Sequence, residues 1–367
     1  MTDHPISETV ARQLLVPNSV KLIERTQGGL SGAMIWRCSS RFGPACLRCW
    51  PAQHPQPERL RLIHTAISRA RQAGLSTVPA LSLTPSGASF VSDGQRLWEL
   101  TEWLPGAADY LEHPTPDKLA AAAFALADLH QAWSRDRQLG VSPTIQDRLA
   151  RLDFWLQPTQ LNRLAAQPAA SQSIPTTPQL LSLPPSPQYG TAQTTSQTSD
   201  STRVHATLQM LLAHGPPLRE RLVAIAPQQV PLQFVLRDVW SDHILYTGEQ
   251  VTGIIDYGAV RIDEPATDLA RLLGSLEPFD AQRRQTAWAI YREKLDTSCL
   301  PPALGANGVQ GTEFQRVDLL DHVATLLSAL QWYQWLILEQ RAFPGPTSLL
   351  RERWDLFLAR LRSNWPP

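Results

Sequence analysis

Two apolar runs late in the chain each stop on an aspartate, and this arrangement limits the fold more than any other feature. Phe234-Val235-Leu236 leads through Arg237 to Asp238, and Val251-Thr252-Gly253-Ile254-Ile255 ends on Asp256. Between them, Ile244-Leu245-Tyr246, then Thr247-Gly248-Glu249-Gln250, then Val251 onward read as strand, turn and strand. A hairpin that returns the chain brings both carboxylates towards one edge of a small sheet. Phosphoryl transfer uses such a pair: one carboxylate orients or deprotonates an attacking hydroxyl, and the other holds a divalent metal on the phosphates.

Three linked segments resemble the aminoglycoside phosphotransferase and choline kinase family, a small-molecule branch of the protein-kinase-like fold. That family carries His-Gly-Asp, four residues, Asn, a hairpin and an Ile-Asp pair. Here the first part is Leu236-Arg237-Asp238-Val239-Trp240-Ser241-Asp242-His243, and the second is Ile255-Asp256-Tyr257-Gly258. A third, Asp263-Glu264-Pro265-Ala266-Thr267-Asp268-Leu269-Ala270, resembles the family's Asp-Pro…Asp-Leu-Ala helix start. Either Asp motif alone is weak; the three in order are fairly specific. The segment order extends over residues 18–340, while the sharp motifs lie in 236–273.

The resemblance implies an α+β, two-lobed protein-kinase-like fold. Residues 1–103 form a small antiparallel-sheet lobe with a hinge about 99–106, and residues 107–367 form a helical lobe carrying the catalytic and metal loops. It implies ATP with Mg²⁺ or Mn²⁺, and a small molecule whose hydroxyl accepts the γ-phosphate. Asp238 takes the catalytic position and Asp256 the metal position. Asp268 ties the helix start to the catalytic loop, and Asp263 or Glu264 caps that helix.

The N-terminal segments agree with that order. Val20 to Arg25 and Ala33 to Cys38 read as strands around Gln27-Gly28-Gly29-Leu30-Ser31-Gly32. Glycines let backbone amides approach an anion closely, so Gly28, Gly29 and Gly32 are candidates to cover the phosphates; an ordinary glycine hairpin is the alternative. Ala45 to Trp50 reads as a third strand. It resembles the strand that carries the family's phosphate-contacting Lys, and Arg48 stands at that place. Lysines occur only at 21, 118 and 294. Arg keeps the charge but changes the geometry, and an ordinary exposed strand arginine is the alternative. A helix from Pro57 to Arg71 follows, on which Glu58 is the one acid; Glu58 reads as a helix-dipole residue rather than the partner of Arg48. Strands are expected over 78–83 and 88–91, and Glu102 and Trp103 fall at the hinge that meets adenine in the family.

The main departure from the pattern is His243, which stands where the family has Asn. Mg²⁺ prefers oxygen, whereas imidazole suits Mn²⁺, Zn²⁺ or other transition metals. Three readings follow: His243 ligates the metal, Asp242 supplies the oxygen instead, or the second metal site is lost. The last belongs to an alternative function, a catalytically impaired kinase-fold protein that binds a nucleotide or a partner.

Composition adds exclusions. The 367 residues have zero formal net charge and are 43% hydrophobic, which supports large cores and gives no nucleic-acid footprint. No apolar run reaches the length of a membrane span. Four cysteines and no basic apolar leader indicate a cytoplasmic, reduced protein. Cys46 and Cys49 spell C-x-x-C within a strand, where they point to opposite faces, so they read as ordinary cysteines. Residues 164–203, rich in Pro, Ser, Thr, Gln and Ala, read as a disordered insert in the helical lobe. His130, in a helix from Pro116 to Trp133, reads as a packed histidine. Relatives of this type phosphorylate aminoglycosides, choline, homoserine and sugars, which leaves the acceptor open.

Overall fold

The computed structural model describes residues 6–26, 32–52, 54–166, 199–295, 309–343 and 347–364. Gly28 and Gly29 lie outside them, as does most of the expected insert.

A short helix, α1 (Glu8–Val10), runs into a wide turn over Ala11–Leu15 and precedes three strands, β1 (Lys21–Thr26), β2 (Met34–Ser40) and β3 (Gly43–Cys49). Helix α2 (Pro57–Gln72) and strands β4 (Val91–Ser92) and β5 (Leu97–Glu102) complete the first lobe. The sheet is antiparallel in the order β1-β2-β3-β5-β4. Alternation along β3 decides its two faces. Ala45, Leu47 and Cys49 point into a core with Val10, Leu14, Cys38, Trp98 and Leu100. Cys46 and Arg48 point the other way, and Arg48 pairs in register with Glu99 of β5. Both cysteines are free thiols, Cys49 buried and Cys46 half-buried.

Helix α2 starts at Pro57, whose fixed φ suits the first turn, with Glu58 complementing the dipole. Its buried face is Leu60, Ile63, Ala66, Ile67 and Ala70, at helical spacing. Of the strands expected over 78–83 and 88–91, only a Leu81–Thr101 bridge and the two residues of β4 form. Pro79 and Pro85 remove ladder donors there.

The second lobe holds α3 (Pro116–Trp133), β6 (Gln138–Val141), α4 (Pro143–Trp155), α5 (Pro158–Ala165), α6 (Asp200–Ile225), β7 (Gln229–Val235), the hairpin β8 (Ile244–Thr247) and β9 (Gln250–Ile254), β10 (Arg261–Asp263), α7 (Ala266–Leu276), α8 (Ala281–Lys294), α9 (Val309–Tyr333) and α10 (Thr347–Asn364). Helix α9 is central and packs on α6, α7 and α10, with Leu320, Val323, Leu326 and Leu330 buried. Residues 164–165 and 200–203, the described ends of the expected insert, are helical, in α5 and α6. Among the described residues, no helix is long and apolar enough to cross a membrane.

Asp263 and Glu264 do not cap α7, whose start has no side-chain cap. The buried Asp263 carboxylate instead accepts from Ser142 Oγ, Thr144 Oγ1 and the Thr144 N–H at 3.2, 2.6 and 3.3 Å, so it stabilises the start of α4. Glu264 pairs with Arg316 at 2.5 Å.

Candidate active site

Strand β7 delivers the chain to Leu236 and then to Arg237, which adopts a left-handed φ of 65°. A non-glycine residue holds that conformation only when its surroundings enforce it. Asp268, fully buried at the start of α7, does so. Its two carboxylate oxygens accept the Leu236 and Arg237 N–H groups, each at 2.6 Å. His130 reaches the same carboxylate at 3.1 Å, and its other ring nitrogen meets the Tyr291 hydroxyl at 2.7 Å. His130 is thus a packed, bonded histidine.

The turn so held presents Asp238, whose side chain is 51% exposed. Its Oδ1 accepts from Trp240 Nε1 at 2.7 Å and from Arg271 Nη2 at 3.1 Å. Oδ2 accepts no hydrogen bond among the described residues. The Arg271 guanidinium lies 3.8 Å from the centroid of the Trp240 ring. Burial pushes the Asp238 carboxyl up, but Arg271, His243 and the Trp240 bond outweigh it and hold it below the ordinary carboxylate value.

His243 ends a short turn before β8. Its Nδ1 lies 2.9 Å from the Asp238 carbonyl oxygen. A carbonyl only accepts, so Nδ1 carries the proton, and in the neutral ring Nε2 keeps a lone pair. That nitrogen is 3.8 Å from Asp256 Oδ2. Asp256 follows β9 in a left-handed conformation, φ 64°, and its Oδ1 accepts the Gly258 N–H at 3.3 Å. Asp242 does not join them: its carboxylate receives Arg353 of α10 at 2.8 Å and Ser241 Oγ at 3.3 Å. Among the described residues, no cluster of three or more His, Cys, Asp or Glu side chains could hold a metal. What remains is a pair of donors, one imidazole nitrogen and one carboxylate.

Arg48 faces this region from the other lobe, with its guanidinium 4.9 Å from the Trp50 ring. Its Nε is 3.6 Å from Glu99 Oε1 and has no hydrogen-bond partner among the described residues. Glu99 Oε2 lies 2.6 Å from His64 Nε2, and His64 Nδ1 lies 2.7 Å from Ser89 Oγ. Helix α2 therefore contributes a histidine, and the acid comes from the neighbouring strand. Glu58 pairs with Arg61 at 3.2 Å, one turn along its own helix. Burial draws the Arg48 guanidinium down, but Glu99 and then Asp256 outweigh it and hold it above the ordinary value. Burial pushes Glu99 up, and His64 and Arg48 bring it below its ordinary value.

Glu102 and Trp103 stand where β5 leaves the sheet. The Glu102 N–H donates to the Ala80 carbonyl at 2.8 Å and the Trp103 N–H to the Pro44 carbonyl at 3.0 Å. The Glu102 carboxylate accepts the Ala80 N–H at 3.2 Å. Arg37 stacks on Trp103 at 5.3 Å. Both N–H groups are therefore satisfied internally, whereas the Leu104 N–H makes no hydrogen bond among the described residues. A cavity of about 520 Å³ opens beside this corner, lined by Phe42, Pro44, Arg71, Thr101 and Glu102, and includes neither Asp238 nor Asp256. Gly32 has a φ of +75° next to Pro51, and is the one described glycine of its expected trio.

Sequence reasoning missed Glu99, His64 and Arg271. Only strand register and helix packing bring them to Arg48 and Asp238. Glu99 alone left a trace, as a charge between the apolar residues Trp98 and Leu100 of β5.

Solved structures with this fold include an aminoglycoside phosphotransferase from Alicyclobacillus acidocaldarius, 16% identical, with a TM-score of 0.55 over 99% of this chain and 97% of that one. An ethanolamine kinase from Plasmodium vivax is 11% identical, with a TM-score of 0.57 over 98% of this chain and 86% of that one. A spectinomycin phosphotransferase, solved in complex with ADP and spectinomycin, is 11% identical, with a TM-score of 0.55 over 98% and 99%. No curated protein matches the sequence. The model of the phosphotransferase enzyme family matches residues 23–300, a span that contains β2, β3, α2 and both aspartate loops, and the chain belongs to that family.

Proposed function

We propose that this protein is an ATP-dependent phosphotransferase that moves the γ-phosphate to a hydroxyl of a small molecule. One observation carries the reading: Asp238 is anchored through Oδ1, open at Oδ2, held below the ordinary carboxylate value, and linked through His243 to a second carboxylate, Asp256. In this reading Asp238 Oδ2 accepts the hydrogen bond of the acceptor hydroxyl and then its proton. Arg48, held by Glu99, binds the nucleotide phosphates as a bidentate cation. The unpaired Leu104 N–H and the surrounding hinge meet adenine, and Gly32 belongs to the turn over the phosphates. A fold shared with a phosphotransferase solved with ADP supports a nucleotide between the lobes.

Asp256 and His243 Nε2 are the residues that would hold a metal ion. Two protein donors suit an ion whose remaining positions are filled by phosphate oxygens and water. The imidazole nitrogen fits Mn²⁺ better than Mg²⁺. When bound, such an ion would neutralise charge on the transferring phosphate.

Calorimetric titration with ATP and Mg²⁺, Mn²⁺ or no metal, on wild type and Asp256→Ala, tests this reading. We expect metal-dependent binding, tighter with Mn²⁺, that Asp256→Ala abolishes. Absence of nucleotide binding under every condition would overturn it. A second reading, nucleotide binding without transfer, draws support from Arg271, which occupies Asp238 Oδ1. ADP release in the presence of an acceptor, lost in Asp238→Asn, decides between the two.

A further inference from the structure

We infer that the acceptor site beside Asp238 takes a hydroxyl compound bearing its own anionic group, a carboxylate or a phosphate, and rejects cationic acceptors. This rests on the phosphotransferase reading and names the substrate class of the same site.

Four arginines from three elements are grouped on this side of the molecule: Arg271 binds Asp238 directly, and Arg148 and Arg151 each feel the charge of Arg271 and Arg237. Arg148 and Arg151 stand three residues apart on α4, hence on one face. Arg237 comes from the catalytic turn and Arg271 from α7. Three of them meet at helix α9. Arg148 Nη1 donates to the Leu320 carbonyl at 2.6 Å. Arg151 Nη2 donates to the Leu327 carbonyl at 3.4 Å and to Gln331 Oε1 at 3.1 Å. Arg271 Nη1 reaches the next residue, Ser328, at 3.3 Å. Arg237 holds Asp147, the neighbour of Arg148, at 3.3 Å.

The charges do not balance. Asp238 answers Arg271, and Asp147 is shared by Arg237 and Arg261, at 3.3 and 4.0 Å. Glu264 belongs to Arg316, and the buried Asp263, bonded to neutral donors, offsets part of the charge on Arg148 and leaves Arg151 without a counter-charge of its own. Arg148 and Arg151 have only neutral oxygens as partners and no carboxylate within ion-pair distance among the described residues. Burial and then the repulsion of Arg271 pull both guanidiniums down, Arg148 to about 10. Arginine stays charged at that value near neutral pH, so the surplus is permanent. An anion relieves it, and the planar fork of arginine matches carboxylate and phosphate in particular. An ammonium group brought to the same place meets like charges.

The transfer itself balances with such a substrate. Its hydroxyl oxygen forms a bond to the γ-phosphorus, the bond from that phosphorus to the β-bridging oxygen breaks, ADP leaves, and the hydroxyl proton passes to Asp238.

The test uses full-length protein saturated with AMP-PNP, which occupies the nucleotide site first. Failure of AMP-PNP to bind would strike the phosphotransferase reading alone. Citrate and spermidine are then titrated separately, read by calorimetry and by tryptophan fluorescence, since Trp240 stacks on Arg271. We expect citrate to bind, to weaken roughly tenfold or more in Arg151→Gln as charge-assisted bonds are lost, and spermidine not to bind. Arg151 is exposed and its substitution leaves the core intact. Arg148→Lys, which keeps the charge without the fork, should weaken citrate less than Arg148→Gln. No citrate binding, citrate binding unchanged in Arg151→Gln, or spermidine binding in its place would each overturn the inference.

Discussion

Glu99 shows how one residue can set the state of a site. It lies between Arg48 and His64, almost fully buried, and binds both. Its carboxyl is held below its ordinary value of 4.5, so the ionised form stabilises the folded protein. For a depressed carboxyl that stability is complete above pH 4.5 and is lost as pH falls through the folded value. Glu99→Gln should therefore cost on the order of 3 kcal/mol near neutral pH by leaving Arg48 uncompensated. Thermal denaturation from pH 3 to 7 should show the gap between variant and wild type closing on the acid side. In the proposed reaction Asp238 is the group that receives the hydroxyl proton. Asp238→Asn should cut turnover roughly 10²- to 10⁴-fold while AMP-PNP affinity, measured by calorimetry, stays at the wild-type value. Asp238 and Asp256 were legible as residues, because each ends an apolar run within a short, ordered motif. Glu99 and Arg271 were not, because they lie 51 and 33 residues from Arg48 and Asp238 along the chain and meet them only across strand and helix contacts.

At the scale of elements, the turn that presents Asp238 depends on the start of α7. Asp268 pairs two consecutive backbone N–H groups that point out of a left-handed turn, and it also binds a histidine of α3. In Asp268→Asn an amide replaces one carboxylate oxygen and faces a donor with a donor. The expected cost is about 2 kcal/mol or more, measured by urea unfolding, together with a loss of turnover as the turn relaxes. Helices α2 and α3 were readable from proline first turns, periodic apolar faces and, in α3, a Thr115 cap. Helix α6 was not, because it passes through Gly215-Pro216-Pro217, residues that ordinarily stop a helix. Tertiary contact overrides that preference: Arg203, at its first turns, bridges to Asp355 of α10, and Leu211, Leu218 and Leu222 are buried.

Across the whole molecule, the two lobes are joined near the site. Trp133 Nε1 donates to the Ala66 carbonyl at 2.8 Å, Arg59 to the Gly258 carbonyl at 3.2 Å, and the Ile254 N–H to the Thr77 carbonyl at 2.7 Å. On the proposed reading, a nucleotide between the lobes would bridge the same contacts. Saturation with AMP-PNP and Mn²⁺ at one hundred times the dissociation constant should add about 2.7 kcal/mol of stability. Calorimetry should read this as a higher melting temperature, and Asp256→Ala should show a smaller gain. Arg59→Ala should weaken nucleotide binding without touching the nucleotide, because the loop after Asp256 loses its hold on α2.

The sequence by itself determined the order of segments and marked the two aspartates as candidates, because local periodicity and short motifs encode these directly; the two-lobed α+β class followed from the family resemblance those motifs carry. Only the tertiary structure decided which acid serves Arg48, which cation holds Asp238, that Asp242 turns to Arg353, and that the Asp238 carbonyl fixes the proton on His243. Those partners come from distant strands and helices. Their selection depends on register and on which buried charge finds a counter-charge, and neither is written in the spacing of residues along the chain.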